Sequence, residues 1–120
     1  MTGVQTCALP ISGGRHELAN GLAGAYLNKG VALDSLGKLA EAIEEYDKAI
    51  KIRAELMAGG RHELANDLAM AYQNKGLALR GLGKLAEAIV FYSDGIQLWE
   101  ETLQRGEVQN LPNLDRKSVV

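Results

Sequence analysis

Residues 13–43 read GGRHELANGLAGAYLNKGVALDSLGKLAEAI, and 46 positions later residues 59–89 read GGRHELANDLAMAYQNKGLALRGLGKLAEAI. Extending this alignment to residues 13–58 and 59–104 gives 28 identities in 46 positions, and 25 of them fall in the first 31. Chance would give roughly three identities at ordinary amino-acid frequencies. The chain is therefore an internal duplication, and its fold must be built from two copies of one 46-residue unit.

Apolar residues within each copy recur with the period of an α-helix. In the first copy they step by three and four through residues 18–36 and again through residues 39–54. Gly37 separates these two stripes, Gly83 occupies the same place in the second copy, and Gly59-Gly60 lies between the copies; each stands where a left-handed residue would end a helix. The pattern predicts an all-α fold with helices at about 15–36, 38–58, 61–82 and 84–105.

Length and composition fit one small helical domain. The chain has 120 residues, and its only prolines, Pro10 and Pro112, leave the stretch between them free to be helical. A formal net charge of −2 offers no basic surface to a polyanion, which disfavours nucleic acid as a partner. No apolar run approaches the roughly 20 residues of a membrane-spanning helix. We therefore expect a cytoplasmic protein with neither a nucleic-acid nor a membrane partner.

The two ends, MTGVQTCALPI at residues 1–11 and DRKSVV at residues 115–120, resemble translations of the two adapters of short-read DNA sequencing. The alternative is a natural N-terminal tail or a short signal peptide, although no basic segment precedes its apolar part. We expect adapter-derived tails, with the gene truncated on both sides and residues 107–114 beginning an incomplete third repeat. Cys7 then lies in a tail, which leaves no cysteine for a disulfide, a zinc thiolate or a nucleophile.

The spacing of small and aromatic residues is more specific than the helical period. The first copy carries Tyr26, Gly30, Leu33, Gly37, Ala42, Tyr46 and Ala49; the second carries Tyr72, Gly76, Leu79, Gly83, Ala88, Tyr92 and, in place of the last alanine, Gly95. This pattern resembles the signature of the tetratricopeptide repeat family. The resemblance implies an α-solenoid of antiparallel helix pairs with a right-handed superhelical twist, with repeat 1 at residues 12–58 and repeat 2 at residues 59–106.

The repeat departs from the usual family pattern in length. The family unit has about 34 residues, and the proline that usually ends its second helix is replaced by Ala54 and Glu100. The extra residues fit if both helices of a pair grow at the same end, to about 21 residues or roughly 30 Å each. Such an elongated repeat is similar to the kinesin-light-chain type.

Few residues suggest chemistry. His16 and His62 begin segments that resemble the zinc motif HExxH, but Asn20 and Asn66 stand where its second histidine belongs. The acidic residues of the second helix are interpreted as a solvated face: Glu41, Glu44, Glu45 and Asp47. We expect no catalytic residue, no metal and no cofactor, so the chain is not predicted to be an enzyme.

One face of the first helix in each copy is the better candidate for a site. In the family, the first helices of successive repeats line a concave groove. The resemblance therefore implies a peptide-binding groove formed by Asn20, Asn28, Val31, Asp34, Asn66, Met70, Gln73, Asn74, Leu77 and Arg80.

Asn28 and Asn74 match a family position where an asparagine holds the backbone of the ligand. A carboxamide carries donors and an acceptor together, so it can pair with any peptide unit. The alternative is that these asparagines contact the adjacent helix. Lys29 and Lys75 adjoin them and are expected to pack toward the second helix of their own pair.

The implied function is a protein–protein interaction scaffold that binds an extended peptide or a partner helix. Two alternatives stay open at this point: a structural or self-assembling spacer, and the recognition arm of a larger signalling protein. The last helix is more apolar than its counterpart, since Val90-Phe91 replaces Glu44-Glu45 and Trp99 replaces Arg53. We expect another element to pack there, and the chain alone to self-associate through its exposed repeat ends.

Overall fold

In the computed structural model of the chain, residues 14–106 are described, and all regular structure in that range is helical. Helix α1 spans Gly14–Ser35, α2 spans Leu39–Ala58, α3 spans Ala65–Gly81 and α4 spans Leu85–Gln104, with a 3-10 turn at His62–Leu64 before α3. The predicted all-α class is confirmed. The expectations for residues 1–11, 107–114 and 115–120 lie outside the described residues.

The third helix begins later than its sequence pattern predicts. The amide of Arg61 donates to the carbonyl of Leu56 at 3.1 Å, which keeps Arg61 in the turn after α2 with a non-helical ψ of 67°. The chain then makes the 3-10 turn at His62–Leu64 before α3 starts at Ala65. The difference arises because the end of one helix and the start of the next compete for the same residue.

Each described helix ends at a glycine in the left-handed region, with φ values of +82° at Gly37, +108° at Gly60, +83° at Gly83 and +79° at Gly106. After α1, the amide of Gly37 donates to the carbonyl of Asp34 at 2.9 Å, and that of Lys38 donates to Leu33 at 2.8 Å. This pair of bonds is a Schellman motif, and it recurs after α2 and α3. The left-handed glycines predicted from the sequence are therefore confirmed.

Three-residue connections fold α1 back on α2 and α3 back on α4, and α2 packs against α3 to join the two pairs. Each pair approaches most closely at a glycine. A Cβ added to Gly30 would lie 2.5 Å from Cε1 of Tyr46 and 3.2 Å from the carbonyl of Ala42, and one added to Gly76 would lie 2.7 Å from Cε1 of Tyr92. A tyrosine ring thus fills the space that a side chain would take.

The core continues from one repeat to the next. Ala42 and Tyr46 of α2 form a buried cluster with Ala78 of α3, and Leu39 and Ile43 pack against it. Because eight of the thirteen buried hydrophobic residues in the described part are alanine, the helices can approach closely. Within the described range, no helix is both long and apolar enough to cross a bilayer.

We expect Gly30→Ala to be less stable than Gly21→Ala by about 1–3 kcal/mol. Both changes gain the same helix propensity, about 1 kcal/mol. Only the first places a methyl group against the Tyr46 ring, because nothing lies within 4 Å of a Cβ at Gly21. Urea unfolding of both variants measures the difference, and equal midpoints would contradict the close approach.

Candidate functional site

The ten candidate residues all lie on α1 and α3, and their side-chain bonds divide them into two groups. Four have a polar group bonded to the second helix of their own repeat, namely Asn20, Asp34, Asn66 and Gln73. For the other six, the described residues provide at most a 4.0 Å contact from Asn66 to the sulfur of Met70. These six are Asn28, Val31, Met70, Asn74, Leu77 and Arg80.

Asn20 and Asn66 hold the two helices of a pair together. In repeat 1, Nε of Arg53 donates to Oδ1 of Asn20 at 3.2 Å. In repeat 2, Nε1 of Trp99 donates to Oδ1 of Asn66 at 2.7 Å. Guanidinium and indole both present an N–H donor, so the exchange of Arg53 for Trp99 preserves the bond. We expected both asparagines to line the groove, and this structural bond is one that sequence reasoning missed.

Gln73 forms a hydrogen bond to α4, the second helix of its repeat, in the space that Gly95 leaves free. Its Nε2 donates to the carbonyl of Tyr92 at 3.1 Å, and a Cβ added to Gly95 would lie 2.5 Å from that nitrogen. Repeat 1 has Leu27 and Ala49 at these two positions. The two substitutions compensate each other, which explains the missing alanine in the second copy of the family pattern.

Asp34 accepts a hydrogen bond from the hydroxyl of Tyr46 at 3.4 Å. Burial, together with the charge and hydrogen bond of Asp34, raises the pKa of Tyr46 to about 12. The carboxylate of Asp34 is thus partly engaged within the repeat. Repeat 2 has Arg80 at the equivalent position, and there the hydroxyl of Tyr92 is buried without a hydrogen-bond partner among the described residues.

The amides of Asn28 and Asn74 are uncommitted. Asn28 is exposed and Asn74 half-buried, and neither makes a hydrogen bond within residues 14–106. An exposed aliphatic side chain follows each of them three residues on: Val31 and Leu77, both 44% exposed. Met70, at 46% exposed, lies one turn before Asn74. Both copies therefore present an amide beside an apolar side chain at the same height on the first helix.

Differences between the two first helices fall on this same face. Among residues 13–43 and 59–89 there are six: Gly21/Asp67, Gly24/Met70, Leu27/Gln73, Val31/Leu77, Asp34/Arg80 and Ser35/Gly81. None of the twelve residues is buried, whereas every buried position of α1 or α3 carries the same residue in both copies. Steps of three and four place the six on one side of the helix. The copies have therefore kept every buried residue of the first helix, and they differ only at positions that are partly or fully exposed.

Glu45 does not belong to a solvated face. It is 6% exposed, and its Oε2 lies 3.3 Å from Nζ of Lys48 and 3.8 Å from Nζ of Lys29, while Oε1 is buried without a hydrogen-bond partner in the described part. The sequence-based interpretation is wrong for this residue, because the side of α2 that carries Glu45 packs toward α1, where Lys29 pairs with it. Lys29 does turn toward its own pair, as expected.

Lys75 links the two repeats. Its Nζ lies 2.5 Å from Oδ1 of Asp47 on α2 and 4.1 Å from the ring centre of Phe91 on α4. Phe91 occupies the position of Glu45, so the second copy holds the lysine over a ring instead of an acid. Lys75 therefore contacts its own pair, as expected, and also the preceding one.

Residues 14–106 contain no group of three His, Cys, Asp or Glu side chains that could hold a metal ion. Nδ1 of His62 lies 2.7 Å from Nη1 of Arg105, near the end of α4. A guanidinium can only donate, so a nitrogen that accepts from it has its lone pair occupied and does not bind a metal ion at the same time.

Two family models, both described as tetratricopeptide repeat, match residues 23–55 and 68–106, together more than half of the chain. Each match covers most of one helix pair. Comparison with curated proteins and with solved structures gave no match. The likeness to the kinesin-light-chain type stays a prediction.

Asn66→Ala should lower the free energy of unfolding by about 1 kcal/mol, because it leaves Nε1 of Trp99 without its acceptor. Asn74→Ala, on the same helix and without a partner, should change it by less than about 0.5 kcal/mol. Urea unfolding followed by the fluorescence of the single tryptophan measures both. A double-mutant cycle with Trp99→Phe should assign the loss to this bond, and additive effects would contradict it.

High pH should weaken the fold through Tyr46. Its pKa is about 12 in the folded chain and 10.0 as a free side chain, so its contribution is present below pH 10 and is lost as pH rises through 12. The slope should approach about 1.4 kcal/mol per pH unit. Thermal unfolding above pH 10 should show a shallower slope for Tyr46→Phe. Some slope should remain, because burial and the charge of Asp94 also raise the pKa of Tyr72.

Proposed function

The chain belongs to the tetratricopeptide repeat family, whose repeats are generally protein–protein interaction modules, and we propose that it binds an extended peptide or a partner helix in a concave groove lined by α1 and α3. The family has a non-catalytic scaffold fold, and the proposal assigns the chain no reaction.

The proposal rests on an asparagine that is identical in the two copies and lies beside an apolar residue that differs between them. Asn28 and Asn74 are identical in the two copies and have no partner within the described range, while Val31 has become Leu77. An amide recognises the C=O and N–H of a peptide unit whatever its side chain is. The variable neighbours would then select side chains, because a ligand residue packs differently against Val31 and Leu77.

Differences between the two repeats would favour one orientation of the bound ligand along the groove. Repeat 1 offers Gly24 and Asp34, whose carboxylate accepts from Tyr46, whereas repeat 2 offers Met70 and Arg80, which has no partner among residues 14–106. A bulky apolar residue and an acidic group would therefore be favoured at the repeat 2 end. An arginine in this setting pairs with a carboxylate through two parallel hydrogen bonds.

Selection from a randomised peptide library tests the proposal, with affinities of the selected peptides measured by fluorescence anisotropy. Asn28→Ala and Asn74→Ala should each weaken binding about three- to tenfold, the value of one or two hydrogen bonds. Gln97→Ala is the matched control, since it removes an exposed carboxamide from α4. Arg80→Ala should weaken acidic peptides selectively.

Two results would contradict the proposal. One is a library that yields no peptide above background. The other is equal binding by Asn28→Ala, Asn74→Ala and Gln97→Ala, which would favour a spacer whose groove is unused.

A further inference from the structure

Because the chain is a duplication, the residues of α1 show how exposed their α3 counterparts would be without α2 packed against them. These two helices meet in the described structure, while α1 has no helix of an earlier repeat before it among the described residues. Leu64 and Leu68 are each 4% exposed, but their counterparts Leu18 and Leu22 are 76% and 49% exposed. The alanines behave in the same way: Ala71 and Ala78 are fully buried, whereas Ala25 and Ala32 are exposed.

The same comparison defines the other side of the contact. Leu39, Ile43, Ile50 and Met57 of α2 are half-buried, and their α4 counterparts Leu85, Ile89, Ile96 and Leu103 are 57%, 62%, 50% and 42% exposed. Steps of four and seven place these four on one stripe. Leu39 reaches α3 directly, since its Cδ1 lies 2.7 Å from the position of a Cβ on Gly81.

We propose that the α4 stripe of one chain docks on the α1 face of a second copy, head to tail, in the register in which α2 packs on α3. This contact would continue the interface that the molecule already contains between α2 and α3. Leu18, Leu22, Ala25 and Ala32 are the same residues that α3 buries, and Leu85, Ile89 and Ile96 are the same residues that α2 presents. The contact is heterologous, so it adds copies head to tail and leaves one free face at each end of a dimer.

Two positions make the contact between copies weaker than the internal one. Asp47 of α2 becomes Ser93 on α4, so Lys29 of the second copy would lack the carboxylate that Lys75 has. Gly81 becomes Ser35, whose Cβ would displace the tip of Leu85, as a Cβ on Gly81 would displace Leu39. Association should therefore be reversible and depend on concentration from the micromolar to the millimolar range.

Blocking each face separately tests the proposal. Ile89→Glu blocks the α4 stripe and Ala25→Glu blocks the α1 face; both positions are exposed, so helicity by circular dichroism should be unchanged. In sedimentation velocity the unmodified chain should gain mass with concentration, and each variant alone should stay monomeric. An equimolar mixture of the two should form a one-to-one dimer, since each supplies the face that the other lacks.

Three results would overturn it. The first is that the unmodified chain stays monomeric at all concentrations, whether or not its own residues 107–120 cover α4. Ala25→Glu could still dimerise, which would show that α4 pairs with α4. The equimolar mixture could form no dimer.

Ser93→Asp tests the register by restoring the acid that Asp47 provides. We expect association about two- to fivefold tighter, the value of an exposed ion pair, with the gain lost in Lys29→Gln and at high salt. Ser93→Asn is the matched control of similar size. Equal effects of Asp and Asn at position 93, or no gain from Asp, would overturn the register.

Discussion

The Tyr46 ring lying against Gly30, with Tyr92 against Gly76, sets the distance between paired helices on which the other contacts depend. The bare glycine lets the ring enter, and the ring fills the space that a side chain would need. With the pair fixed at this point, Asn28 faces solvent while Ala42 and Tyr46 lie against Ala78 of the next repeat. The rotation of the first helix therefore decides which of its residues can meet a ligand.

Local signals in the sequence were sufficient for the helices and for their ends, except for the start of α3. Gly37 and Gly83 need a left-handed backbone, and the apolar period is visible in single segments. Exchanges between distant residues were not predictable in this way. Arg53 and Trp99 look unrelated until both are seen to donate to an asparagine 33 positions earlier. Glu45 looks solvated when its own helix is considered alone, because its partner Lys29 lies on α1.

Two copies in one chain serve as a natural comparison within a single molecule. Where a residue is buried on the first helix, both copies keep it, and all six differences between the first helices fall at positions that are not buried. The comparison also separates the two roles of asparagine, since Asn20 and Asn66 bond to their own pair while Asn28 and Asn74 do not. Residue type alone could not have separated these two roles, because all four residues are asparagines on the first helix of a repeat.

Left-handed glycines at positions 37, 60, 83 and 106 are spaced 23 residues apart, so turns within and between repeats divide the chain into equal lengths. Unequal crossing-over between the near-identical segments 13–43 and 59–89 would add or remove 46 residues at once. Every helix would then keep the same contacts within its pair and with the adjacent pair. The gene can therefore change the number of repeats without changing how neighbouring repeats pack.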